Sequence, residues 1–286
     1  MHVTNIFLLF SAALGTVTAT PVDNSTDPMP FVCGNPPPTE EYLAQIREVA
    51  AMEETAGNLT EQATINANVY FHVVAASKTK KGGWVSDERL AKQFNVMKKE
   101  YAQNGITFTR AGTTRTVNAA WANRQDEAGM VKKLRRGSYN DLNIYIQKSL
   151  DGAAGYCSGP VGVGGPGTYD GDGCHVLADS LPGGGAYNGF NDGKAAVHEV
   201  GHWFGLLHTF EGGCEGAGDH IADTPAEKSP PPHGGCPAGR DSCPGREGKD
   251  PIHNHMDYTS GQCKTHFTAG QQKRMHTQWN MFRKGH

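Results

Sequence analysis

Residues 198 to 208 read His198-Glu199-Val200-Gly201-His202-Trp203-Phe204-Gly205-Leu206-Leu207-His208. If Lys194 to Phe204 is a helix, His198 and His202 lie one turn apart on the same face and their imidazoles can converge on one ion. Glu199 follows by about 100° around the axis, which sets its carboxyl beside that ion without making it a ligand. On a continuing helix His208 would rotate to another side and rise about 9 Å beyond His202. The helix must break to bring it back, and Gly205 can take the left-handed conformation on which such breaks turn.

Three neutral imidazoles suit one Zn²⁺ per chain, with bonds of about 2.0–2.1 Å and a fourth position left for water. A structural zinc is normally closed by four protein ligands, so the set His198, His202 and His208 is a catalytic pattern. Water held there loses its proton near neutral pH, and Glu199 can accept that proton and pass it to a leaving amine. The competing reading is of ordinary histidines on an amphipathic helix. The glycine and third histidine at their fixed offsets tell against it.

The flanking sequence supplies the frame. Asn68 to Ala75 is β-branched and aromatic and predicts a strand, and Ser86 predicts an N-cap for a helix carrying Leu90, Phe94, Met97 and Tyr101 up to Gly105. Further short strands are expected at Ile106–Thr109, Leu142–Ile146 and Cys174–Ala178, with one helical stretch from Ala119 to Arg136. Thr268 followed three residues later by Gln271 signals a capping box for a last helix bearing Met275, Trp279 and Phe282 as core residues. Mixed strands and helices followed by helix and irregular structure give an α+β class in two unequal parts.

The whole chain has 286 residues, 26 Lys+Arg against 29 Asp+Glu, and 37% apolar residues, a near-balance of charge that argues against nucleic acid or an anionic membrane as partner. A mean hydropathy of -0.52 suits a soluble protein. The apolar run Ile6–Gly15 followed by Val17-Thr18-Ala19 is too short to span a membrane, so residues 1–19 read as a cleaved signal peptide and the rest as secreted. The sequons at Asn24 and Asn58 agree with that route as glycosylation candidates. Residues 20–63, with Pro36-Pro37-Pro38 and then a Glu-rich helical stretch, read as a leader or pro-segment.

A secreted chain should pair its cysteines, and seven is odd. Four of them crowd the segment after position 213, where crosslinks would substitute for a missing core, and Cys157 and Cys174 bracket a glycine-rich loop as a third pair. Cys33 is then left over. Its thiolate, carried on a detachable leader, could take the open position on the ion and hold the protein latent; the alternative is that Cys33 pairs and another thiol is free.

These motifs together resemble the metzincin zinc endopeptidases, whose extended H-E-x-x-H-x-x-G-x-x-H is followed by a methionine turn, matched here by Asn254-His255-Met256-Asp257-Tyr258. With Asp223-Thr224-Pro225, DPIHNHMDY and Phe267-Thr268-x-Gly270-Gln271, the likeness narrows to the pappalysin family and its secreted fungal extracellular metalloproteases, over residues 64 to 286. The resemblance implies a catalytic domain with a twisted mixed sheet, a backing helix and the active-site helix (about 64–207), above a smaller, disulfide-linked, loop-rich subdomain (about 208–286). It implies Met256 as the floor of the site and Tyr258 as a phenol near the substrate oxyanion. It implies the pairs Cys214–Cys243 and Cys236–Cys263, and calcium in some members, for which Asp219 and Asp223 are the candidate carboxylates. His255 stands where a tyrosine is expected, and with His253 reads as an exposed loop histidine rather than a ligand. The expected activity is zinc-dependent hydrolysis of peptide bonds in protein or peptide substrates by a monomer. The rivals are a secreted zinc-binding interaction protein without catalysis and a zinc hydrolase of a non-peptide amide.

Overall fold

A computed structural model describes residues 32–55, 63–162, 171–185 and 189–286. The signal segment 1–19 and the sequons at Asn24 and Asn58 lie outside the described residues. In chain order the elements are α1 (Glu40–Thr55), β1 (Ile65–Ala75), α2 (Asp87–Ala102), β2 (Ile106–Val117), α3 (Ala119–Ala122), α4 (Glu127–Leu134), β3 (Leu142–Gln147), β4 (Gly155–Cys157), β5 (Cys174–Leu177), α5 (Lys194–Trp203) and α6 (Ala269–Gln278). The five strands form one sheet in the order β2-β1-β3-β5-β4, parallel throughout except for β4, which runs antiparallel to β5 at the edge. This is the α+β architecture expected from the sequence.

Alternation along β1 decides what each face meets. Val69, Phe71 and Val73 point into the main core, where α2 and α5 cover the sheet, while Val74 joins α4's Met130, Val131 and Leu134 on the opposite face. β3 is buried along all six residues, as a central parallel strand covered on both faces must be. Ser86 caps α2, its hydroxyl accepting from the Arg89 amide at 3.3 Å.

Three details differ from the sequence reading. The helical stretch from Ala119 splits into α3 and α4, because Asn123 to Gln125 turn with Arg124 at φ +61° and Asp126 then caps a new helix by accepting from the Gly129 amide. β2 continues to Val117, since its polar second half still pairs with β1 at the sheet edge. β4 is a strand of three residues that its glycine-rich surroundings hid.

The lower part sends Ile221, Met256, Phe267, Met275 and Trp279 into the main core, and its loops are held by crosslinks and buried charge. Disulfides Cys214–Cys243 and Cys236–Cys263 join these loops, Cys157–Cys174 links β4 to β5 in the sheet above, and Cys33 is the free cysteine. Arg240 bridges the buried carboxylates of Glu227 and Asp250, and Thr209 donates to Glu227 at 3.0 Å, tying the chain after α5 to the loops. At the other end Arg283 lies 3.8 Å over the Trp203 ring and pairs with Asp172 at 2.9 Å, fastening the C-terminal π-helical turn Trp279–Arg283 against α5.

Candidate metal centre and cleft

α5 ends where the sequence required. Gly205 takes φ +93°, its amide donates to the His202 carbonyl at 2.8 Å, and the Leu206 amide donates back to the Gly201 carbonyl at 3.0 Å, a Schellman closure. The chain then returns so that His208 faces α5.

The outcome is a convergence of nitrogen lone pairs. His202 Nε2 lies 3.2 Å from His198 Nε2 and 3.1 Å from His208 Nε2. His198 Nδ1 is 2.8 Å from the His255 carbonyl, and His202 Nδ1 is 2.8 Å from the Leu206 carbonyl. A carbonyl only accepts, so each of these Nδ1 atoms carries the proton and each Nε2 is left as a bare acceptor. Burial holds His202 at about 4 and the other two imidazoles well below their usual range, so all three rings are neutral. Bare acceptors packed at this distance repel unless a cation lies between them, and this donor set fits Zn²⁺. Cys33 Sγ joins it, 3.6 Å from His202 Nε2, and the four ligand atoms lie within 4.8 Å of one another.

Glu199 is fully buried beside them, with Oε2 accepting from Cys33 Sγ at 3.4 Å. Burial pushes its carboxyl up to about 8. Its closeness depends on the neighbouring strand, because a Cβ on Gly155 of β4 would lie 2.5 Å from Glu199 Cγ. Met256 is fully buried against Gly201, where a Cβ would strike its sulfur. The Tyr258 hydroxyl is 3.2 Å from His208 Nε2 and 3.4 Å from the Cys33 carbonyl, and burial raises its phenol well above the ordinary range.

The methionine turn is locked to α6. Asn254 exchanges side-chain hydrogen bonds with Gln271 at 2.8 and 3.0 Å, and Gln271 closes the capping box with Thr268. His255 corrects the expectation of an exposed loop histidine. It is fully buried, paired with Glu100 at 3.2 Å, and its carbonyl orients His198. His253 is exposed, as expected, and faces the Cys263 carbonyl. The sequence also gave no signal for Lys264, a buried lysine that burial lowers to about 8 against the opposing pull of Asp257 and Glu199.

The calcium expectation fails on geometry. Asp223 spends both carboxylate oxygens at the start of α6, accepting from Thr268 Oγ1 at 2.7 Å and the Gly270 amide at 2.8 Å. Asp219 is buried, accepts from the Ile221 amide and is pushed up to about 8 by burial, so it is held as a neutral acid. Among the described residues neither carboxylate belongs to a group of three or more metal-type ligands.

Residues 32–39 cross the cleft. The Gly34 amide donates to the Gly155 carbonyl at 2.7 Å and the Ala154 amide to the Val32 carbonyl at 2.9 Å, so this segment pairs with the free edge of β4, parallel to it. Asn35 Oδ1 accepts from the Cys157 amide at 2.7 Å. Beside the metal centre opens a mainly apolar cavity of about 360 Å³, walled by Val161, Leu206, Leu207, Glu211 and the prolines 36–38. Among the described residues no helix is long and apolar enough to cross a membrane.

The family model Peptidase_M43, described as pregnancy-associated plasma protein-A, matches residues 127–280. An extracellular metalloprotease of Verticillium alfalfae is 47% identical over 262 residues, covering 90% of this chain and 91% of its own length. Extracellular metalloprotease 1 of Coccidioides posadasii is 48% identical over 254 residues, with 88% and 90% covered. Among solved structures, Tannerella forsythia mature mirolysin in complex with a cleaved peptide superposes with a TM-score of 0.60 at 25% identity, over 75% of this chain and 91% of that one. The sheet, the metal-centre helix and these likenesses agree, and the chain belongs to the pappalysin family of zinc metalloendopeptidases.

Proposed function

We propose that this chain is a secreted zinc endopeptidase whose ion is held by His198, His202 and His208, with Glu199 as general base and Cys33 as the thiol of a latent form. The observation that carries the reading is the convergence of three histidine Nε2 atoms, two of them bare acceptors, and one thiol at a point beside a buried carboxylate. A bound Zn²⁺ supplies a Lewis acid and lowers the pKa of coordinated water. Glu199 lies where it can take the proton of the attacking water and return it to the leaving amine. Tyr258 reaches the same space, and its hydroxyl, kept protonated by burial, can donate to the oxygen that gains negative charge. The free edge of β4 can pair an extended peptide main chain, and the apolar wall of Val161, Leu206 and Leu207 beside His208, which Pro36–Pro38 face, can receive an apolar side chain of that peptide once the leader has gone.

The same edge is taken by residues 32–35, and with Cys33 Sγ at the metal centre no substrate can enter. Residues 1–19 are proposed as the signal peptide, 20–63 as the leader and 64–286 as the catalytic domain, acting as a monomer on proteins or peptides. The test is secretion of the full chain, with zinc content measured beside cleavage of a denatured protein before and after leader removal. Cleavage is expected only after removal, to vanish in chelator, to return with zinc, and to fall at least ~10²-fold in Glu199→Gln, the scale of a lost general base. Cys33→Ser is expected to be active without removal. Stoichiometric zinc with no cleavage after leader removal would sink the peptidase reading, and an inactive Cys33→Ser full chain that gains activity on leader removal would sink the latch.

A further inference from the structure

The leader does more than carry a thiol to the metal. After the stiff Pro36-Pro37-Pro38 spacer, α1 lies along α6 on the flank of the molecule, remote in sequence from everything it touches. Gln45 Nε2 donates to the Pro160 carbonyl at 2.8 Å, and Ile46 and Val49 are fully buried. One turn further, Glu53 accepts from Arg274 at 3.0 Å through both Nε and Nη2, while Lys273 Nζ donates to the Glu53 carbonyl at 2.6 Å. Positions 46, 49 and 53 share one helix face. Arg274 is 1% exposed and is aimed at this carboxylate, with its Nη2 also held by the His220 carbonyl at 2.8 Å. The charges match as well, since α1 carries five glutamates and one arginine and meets Lys273 and Arg274. A 16-residue helix with so little apolar surface is marginal in isolation, so its order comes from this seat.

We propose that the α6 face bearing Lys273 and Arg274 is a docking site for the leader helix, independent of the metal, and that the leader released from the chain remains an inhibitor that binds in trans. The occupant is residues 39–55 of this chain. Two modest contacts joined by a stiff spacer act as one bivalent inhibitor, each raising the local concentration of the other. A single cut between the leader and β1 therefore leaves the cleft covered until the leader helix is lost. The inference rests on the reading of residues 20–63 as a leader over the cleft, and it places the strength of latency in Glu53 and the α1 face as well as in Cys33.

The test uses enzyme freed of its leader by limited proteolysis of the full chain, with synthetic peptides added in trans. A fluorescein-labelled peptide of residues 39–55, which lacks Cys33, is expected to bind by anisotropy equally well before and after chelation, and more weakly as salt rises. In the peptide of residues 32–55, Glu53→Gln is expected to raise the inhibition constant on the order of tenfold, the scale of a lost charge-assisted hydrogen bond. The same substitution in the full chain is expected to make the uncut protein leak activity. Loss of 39–55 binding on chelation would overturn the proposal, as would a Glu53→Gln peptide and full chain that behave like the parent. If Cys33→Ser leaves inhibition by 32–55 intact while Glu53→Gln removes it, the docking site stands and the thiol latch falls.

Discussion

Replacing Gly155 by Ala tests how tightly the sheet edge fixes the carboxylate. The new Cβ would lie 2.5 Å from Glu199 Cγ and 2.9 Å from both Cδ and Oε1. Ordinary carbon–carbon contact needs about 3.5–4.0 Å, so Glu199 or β4 must yield by about 1 Å. Glu199 is fully buried and β4 is pinned through the Cys157–Cys174 disulfide, so the side chain is the part that moves. Overpacking of this kind costs about 1–3 kcal/mol, and a reacting group misplaced by about 1 Å loses ~10²-fold in rate. The expected outcome for leader-free enzyme is kcat/KM down about a hundredfold on a quenched fluorescent peptide, with zinc content unchanged because α5 and the Gly205 turn are untouched. The expected loss of Tm is about 2–4 °C for each kcal/mol. A double-mutant cycle isolates the cause. Glu199→Ala deletes the Cγ that the new methyl strikes, so Gly155→Ala should cost little stability in that background. An undiminished stability loss there, or full kcat/KM in the single variant, would refute the contact as the cause.

Gly205→Ala forces a side chain into φ +93° and sets its Cβ 2.8 Å from Gln278 Cδ. It should cost at least about 1–2 kcal/mol in urea unfolding and weaken zinc in a chelator competition, because the turn that returns His208 opens. Acid should unfold the protein through two histidines outside the metal centre. Burial lowers both His72 and His175 to about 4, so each folds neutral while the unfolded chain takes up a proton near 6.5. Their contribution is complete above pH 6.5 and lost as pH falls toward 4, by roughly 3 kcal/mol each. Urea midpoints at pH 7 and 4.5 for the parent and for His72→Asn with His175→Gln check this, the double variant being expected to show a shallower fall.

The sequence announced what depends on local chemistry. Spacing alone predicted α5, its break at Gly205 and the return of His208, and capping rules predicted the starts of α2 and α6. What it concealed depends on partners far along the chain. Glu53 lies 221 residues from the Arg274 that seats it, and His255, in a turn, is paired with Glu100 on the distant helix α2. No local pattern distinguishes such a histidine from an exposed one. The β4 strand was missed for a different reason, since three residues in glycine-rich surroundings show no alternation to read, and their strand character comes from β5 on one side and the segment around Cys33 on the other.

Glycine carries a second meaning at this site. Between positions 151 and 250 lie 25 of the 37 glycines, a composition that by itself reads as loop. At Gly155 and Gly201 the absent side chain is instead what lets Glu199 and Met256 close on the metal centre. Gly155 has a further duty, because its carbonyl receives the Gly34 amide that brings Cys33 to the histidines. One residue thus positions the carboxylate from behind and offers its backbone to whatever lies in front. On the proposed function, leader and substrate compete for the same main-chain groups, and any change that frees the edge for one frees it for the other. Latency that depended on this edge alone would be no tighter than the binding of a good substrate. The proposed seat for α1 outside the cleft would remove that limit, because it would strengthen the leader's hold without strengthening the substrate's.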